Sequence, residues 1–221
     1  VWFRVGARDE TPGREGIAHF IEHLAFKGTE RRSAPEIAAS LERRGGSLEA
    51  FTTKETTCFY ARVLEEETTL AVDVLCDLVS RPRFQAEDLD RERDVVLEEL
   101  RNVQDNPEDL IGDLATRHLW PGDIMGSSIL GTPASLQVLT AADVAAFHRR
   151  EYGAPRVVVS GVGAVDPDRL QDLLTRNLEL PEGEPPRRRT PRAEEGQLAI
   201  HDSDLSQLHL SLSASAPSEG D

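Results

Sequence analysis

Cysteine is nearly absent. The chain holds only Cys58 and Cys76, too few and too far apart for a zinc knuckle, and both read as reduced, buried thiols. Positive charge is short as well: 25 Lys and Arg stand against 40 Asp and Glu, for a net charge of −15 and a pI near 4.8. That balance excludes a nucleic-acid binder, whose phosphate partner needs a basic face. It also disfavours an anionic membrane surface. Long apolar runs are missing, so no segment is suited to cross a bilayer as a helix. Gly161 and Gly163 have no third glycine at the spacing a dinucleotide loop needs, which removes that reading. What is left is a soluble, acidic, globular chain, with a cytoplasmic location favoured and enough length for one good core or two small ones.

What is present is concentrated first in His19-Phe20-Ile21-Glu22-His23. No Gly or Pro interrupts residues 17–26, so the window is helical. Positions i, i+3 and i+4 share a face, so His19, Glu22 and His23 project together. Ile17, Phe20, Ile21 and Leu24 are left for the core. Two imidazoles one turn apart can grip one zinc ion, and the neighbouring carboxylate is placed to take a proton from water at that metal. The order His-x-x-Glu-His is the inverted form of the commoner zinc motif. The plain alternative is two surface histidines beside a glutamate.

A catalytic zinc takes a third protein ligand. Residues 87–103 form a second strong helical window, with Leu89, Val96, Leu100 and Val103 as its apolar stripe. Glu92 and Glu99 lie two turns apart on one face, with Val95 and Val96 between them, so that face is expected at the core edge. The competing reading is an ordinary solvated acidic helix, as for Glu98.

The remaining chain sorts into elements. Residues 1–5 read as a strand and 6–16 as a polar loop. Gly28 is expected to cap the first helix. Ser33 and Glu36 form a capping box for a helix running to about Arg44, broken by Gly45-Gly46. Residues 47–64 alternate as a hairpin with its break near Lys54-Glu55. A helix over 65–80 stops at Arg81-Pro82. Helices follow over 108–120, 141–150 and 166–178, with a Gly-, Pro- and Ser-rich loop at 120–135 and a buried strand over 156–165. Residues 181–196 are a linker rich in Pro and Arg, and the Arg187-Arg-Arg189 run is expected to be solvated there. Residues 197–213 alternate as one or two strands. His118, His148, His201 and His209 lack ligand spacing and are expected to be surface or satisfied histidines.

Several of these stretches together resemble the family of pitrilysin, insulin-degrading enzyme and mitochondrial processing peptidase, the M16 zinc metallopeptidases. They are Arg4-Val-Gly-Ala-Arg-Asp-Glu10, Gly16-Ile-Ala-His-Phe-Ile-Glu-His-Leu-Ala-Phe-Lys-Gly-Thr29, Gly45-Gly46, Ala50-Phe51-Thr52, Glu55-Thr56-Thr57, Arg91-Glu-Arg-Asp-Val-Val-Leu-Glu-Glu99, Leu130-Gly131-Thr132 and Tyr152. The resemblance implies an α+β fold, a mostly antiparallel sheet with helices packed on one side. It implies a zinc endopeptidase in which His19, His23 and Glu99 bind Zn2+, Glu22 is the general base, and Glu92 supports the ligands. It further implies that Glu49, Ala50, Phe51 and Thr52 form an edge strand to which a peptide substrate adds by main-chain hydrogen bonds. Glu49 stands where the family commonly has Asn, a departure that bears on local subsite preference. Residues 1–180 would then be the catalytic domain, lacking a first strand, and 197–221 would lead into a homologous second domain or subunit. The rival reading is an incomplete or non-catalytic member that needs this second half.

Overall fold

The computed structural model describes residues 1–194, 196–202, 204 and 206–214. Its sheet has four strands in the order β2-β3-β1-β4: β1 (Trp2–Phe3), β2 (Ser47–Thr52), β3 (Thr57–Arg62) and β4 (Val157–Val158). Every pairing is antiparallel. The longest ladder is the hairpin β2–β3, in register from Ser47 opposite Arg62 to Thr52 opposite Thr57. Its turn falls at residues 53–56, where the sequence places the break. β2 pairs on one side only, so it is an edge strand.

Side chains alternate across the pleat. Phe3 and Phe59 point inward and are fully buried, while Trp2 and Phe51 sit exposed on the other face. Among the described residues eight α-helices accompany the sheet: α1 (Ile17–Ala25), α2 (Ala34–Glu42), α3 (Thr68–Ser80), α4 (Ala86–Asp105), α5 (Pro107–Leu119), α6 (Pro133–Val138), α7 (Ala141–Glu151) and α8 (Pro167–Asn177). The core lies between the inward face and α1, α3, α4 and α7, and includes Phe20, Ile21, Leu24, Val74, Leu78, Val96 and Phe147. Each such side chain taken from water contributes about 1.5–3 kcal/mol. This is the α+β arrangement expected, with helices on one side of a mostly antiparallel sheet. No helix among the described residues is long and apolar enough to cross a membrane.

The local signals work largely as read. Ser33 and Glu36 form the capping box, with the Ser33 amide donating to Glu36 Oε2 at 2.8 Å. α4 buries Leu89, Glu92, Val96 and Leu100, three of the four stripe residues with a carboxylate among them, while Val103 is half-buried and Val95 faces outward. Gly28 does not cap α1. The helix ends at Ala25, and the Phe26 and Lys27 amides close it by tight bonds to His23 and Leu24 carbonyls.

Three strand expectations change, the strand read over residues 1–5 being β1, Trp2–Phe3, alone. The strand read over 156–165 shrinks to β4, and Val158 and Val162 are exposed. β4 is an edge whose sole neighbour, β1, is two residues long, so the ladder stops with it. The alternating stretch 197–213 contains no strand among its described residues, and Leu198, Ile200, Leu208, Leu210 and Leu212 are exposed. Alternation supplies one apolar face, but a strand also needs a ladder partner, and none of the described residues pairs with it. Residues 215–221 of the strand region lie outside the described residues.

Candidate metal centre

The site is built where α1 meets α4 beside the β2 edge. Two features fix the start of α1. Gly16 caps it in the left-handed region (φ 94°), and a Cβ there would come within 2.7 Å of the Leu130 carbonyl oxygen. Gly131 is equally constrained (φ 79°), seated against the Glu15 carbonyl, and Ser135 donates to that same carbonyl at 2.8 Å. The Leu130-Gly131-Thr132 turn is therefore a seat for the helix. Glu10 completes it: both carboxylate oxygens accept α1 amides, from Gly16 and Ala18, each at 2.9 Å. Burial pushes this carboxyl up to about 8, and the two amides act against that push. Sequence reading passed over Glu10, although a carboxylate shortly before a helix is a recognisable N-terminal signal.

With α1 so held, its apolar face is buried and its polar face turns to α4. His19 Nε2 lies 3.6 Å from Glu99 Oε2, and His23 Nε2 lies 3.5 Å from the same oxygen. Ligand atoms from His19, His23 and Glu99 all fall within 4.8 Å of one another. Exposure is graded across the cluster: 11% for the His19 side chain, 17% for His23 and 38% for Glu99, so the site opens on the Glu99 side.

The hydrogen-bond partners of the rings favour one tautomer of His23. Glu92, buried on α4, accepts from His23 Nδ1 at 3.1 Å through Oε2. Its other oxygen meets Lys27 Nζ at 2.7 Å. With a hydrogen on Nδ1 and none on Nε2, the His23 ring presents its Nε2 lone pair to the cluster. Burial, assisted by the neighbouring His23, lowers His19 to about 3, so that ring is neutral. Its Nδ1 has no partner among the described residues, and its orientation comes from packing and from an edge contact with the His23 ring at 4.5 Å. Lone pairs from two imidazoles thus converge on a carboxylate. Such acceptors repel one another unless a cation lies among them. Two nitrogens and one oxygen are also a donor set that suits Zn2+ and leaves a coordination position open. The residues fit the expected metal.

Glu22 projects beside this cluster, and Thr52 at the end of β2 donates its hydroxyl to Glu22 Oε2 at 2.6 Å. Burial raises the Glu22 carboxyl, and the Thr52 bond partly offsets this. Thr52 was expected as a main-chain contact, and its side-chain hold on Glu22 has no sequence signal of its own. Glu49, Ala50 and Phe51 lie along the same edge strand, with Glu49 accepting from the Tyr60 hydroxyl across the ladder. The other histidines stay apart. His148 is buried with Nε2 3.0 Å from the Val79 carbonyl, His118 caps its own helix, and His201 is exposed. Cys58 and Cys76 are free and buried, as read.

A family model described as Insulinase (Peptidase family M16) matches residues 1–133. The chain belongs to peptidase family M16. A second model of that family, described as Peptidase M16 inactive domain, matches residues 139–221. An uncharacterized zinc protease of Mycobacterium tuberculosis is 41% identical over 226 residues, covering 100% of this chain and 52% of the relative. The mitochondrial-processing peptidase subunit beta of Blastocladiella emersonii is 35% identical over 83% of this chain and 40% of its own. Among solved structures, a protease from Helicobacter pylori superposes with a TM-score of 0.79 over 86% of this chain and 46% of that one, at 24% identity, a likeness of fold. The chain spans about half the length, or less, of these relatives.

Proposed function

We propose that this M16 chain carries the catalytic half of a zinc-dependent endopeptidase. The observation that carries the reading is the convergence of His19, His23 and Glu99 within 4.8 Å, with Glu22 hydrogen-bonded to the end of an open edge strand. His19, His23 and Glu99 hold Zn2+, and Glu92 keeps His23 in the tautomer that offers Nε2. The bound ion supplies Lewis-acid polarisation of the scissile carbonyl and makes water more acidic. Glu22 takes a proton from the attacking water and passes it to the leaving amine. Its raised affinity for protons, from burial, suits the second task. Residues 49–52 hold the peptide as an added strand. That mode of binding uses main-chain groups and tolerates varied sequences. Glu22→Gln tests the assignment: zinc should stay bound while turnover falls by about 10²–10⁴-fold. Undiminished turnover in that variant would remove Glu22 from the mechanism.

A second reading has a specific support. The relatives are about twice as long or longer, and the cluster opens to solvent at Glu99. On this reading the chain binds zinc but needs a homologous second half, as domain or subunit, to cleave efficiently. Adding that half in trans should raise peptide cleavage; no gain would count against the dependence.

A further inference from the structure

The Arg187-Arg-Arg189 run looks like a solvated stretch of linker, and two of its members are. Arg187, mostly exposed, pairs with nearby Glu184, and Arg189, mostly exposed, reaches Asp123 at 2.6 Å. Arg188 is different. Its side chain is 8% exposed and its partner Asp9 is 9% exposed. The guanidinium forks onto Asp9, with Nε to Oδ1 at 3.0 Å and Nη2 to Oδ2 at 2.6 Å. The same Nη2 donates to the Glu55 main-chain carbonyl at 2.6 Å. A planar fork matched to a carboxylate is the more directional of the basic pairings.

Both places that Arg188 touches bear on the site. Asp9 accepts from the Gly6 amide at 3.0 Å, and the next residue, Glu10, holds the first turn of α1. Glu55 lies in the turn that follows Thr52, the residue bonded to Glu22. The loop and the turn are zipped together: the Ala7 amide donates to the Thr53 carbonyl at 3.1 Å and the Arg8 amide to the Lys54 carbonyl at 2.8 Å. Arg8 adds a second tie, pairing with the Glu55 carboxylate and donating to the Arg189 carbonyl. One arginine from beyond α8 therefore closes a ring of contacts around the start of α1 and the end of β2.

We propose that Arg188 is a positioning residue for the peptidase site, clamping the linker onto Asp9 and the 53–56 turn so that Thr52 and Glu22 keep their relative place. The inference rests on the peptidase reading above. It also gives the linker a task besides spacing: whatever pulls on it loosens the clamp, and with it the edge where substrate adds. A misplacement of even an ångström near reacting groups costs up to about a hundredfold in rate.

The test compares Arg188→Ala, Arg188→Lys and the control Arg187→Ala in the whole protein, reading amide hydrogen exchange, zinc content and cleavage of a fluorogenic peptide. Arg188→Ala should raise exchange over residues 53–57 and lower kcat by about tenfold to a hundredfold at unchanged zinc content. Arg188→Lys should recover part of both, and Arg187→Ala should alter neither. Faster exchange confined to 187–189, or faster exchange at 53–57 with kcat within twofold of the control, would overturn the proposal. A wild-type protein that cleaves no peptide while Arg188→Ala still exposes 53–57 would locate the failure in the peptidase reading and leave the clamp standing.

Discussion

Glu92→Gln changes a carboxylate for an isosteric amide at the point where the site's proton placement is decided. Glu92 is buried and serves two donors, His23 Nδ1 at 3.1 Å and Lys27 Nζ at 2.7 Å, one on each oxygen. An amide has one acceptor oxygen and one donor nitrogen. With its oxygen toward His23, its NH2 faces the Lys27 ammonium, donor against donor. With its oxygen toward Lys27, its NH2 faces His23 Nδ1, which must then accept, and the ring hydrogen moves to Nε2. That nitrogen lies 3.5 Å from Glu99 Oε2 and would no longer offer a lone pair. Either orientation weakens the metal site while the volume of the side chain is kept. Outer partners of metal-bound imidazoles are typically worth 10–100-fold in affinity, or about 1.4–2.7 kcal/mol. Lys27 is about a third exposed, so water replaces part of its loss and the lower half of that range is expected. Competition against a chromophoric chelator measures it. Zinc affinity within twofold of wild type, in a variant with unchanged circular dichroism, would refute the tautomer argument.

Two further outcomes concern stability. Asp77, fully buried on α3, accepts from Thr29 Oγ1 at 2.7 Å and pairs with Arg32 at 2.6 Å. Arg32 also pairs with Asp73, so Asp77→Asn leaves it one carboxylate and an amide oxygen and should cost about 1–3 kcal/mol in denaturant unfolding, with zinc affinity unchanged; a loss below about 0.5 kcal/mol would show the pair to be dispensable. His148 is held neutral by burial, its pKa lowered to about 4 from 6.5. The unfolded chain binds this proton below pH 6.5 and the folded chain only near 4. The stability that neutral His148 contributes is therefore present above about pH 6.5 and lost as pH falls toward about 4, by about 3 kcal/mol in all. Subtracting the pH–stability curve of His148→Gln should isolate that slope, and parallel curves would contradict it.

How much of this was legible in the sequence depends on whether local spacing or distant packing fixes the feature. His19, Glu22 and His23 are placed by helix periodicity alone, and α1 is an uninterrupted apolar window. Glu92 and Glu99 share a face for the same reason. That this face meets α1, and not solvent, is a tertiary fact: Val95 and Val96 suggest only the core edge, and the family resemblance the partner. The hairpin β2–β3 was readable because alternation and a polar break coincide. The strands at 156–165 and 197–213 were over-read because a pattern of valines or leucines says nothing about whether a ladder partner is present. Lys27 and Arg188 act across contacts that no window of the sequence spans, whereas Glu10 lies only six and eight residues from the amides it accepts and was a local signal passed over. A basic run in a polar, Pro-rich stretch gives no sign that its middle member is buried.

On the proposed function, His19, His23 and Glu99 together hold one zinc ion. Elemental mass spectrometry of the purified, zinc-equilibrated protein, with Glu99→Gln measured beside it, tests this most directly. About one zinc per chain in the wild type, lost or much weakened in Glu99→Gln, is the result predicted for a three-ligand site. A wild-type chain that takes up no zinc, or a Glu99→Gln variant that holds it as tightly as wild type, would contradict the claim.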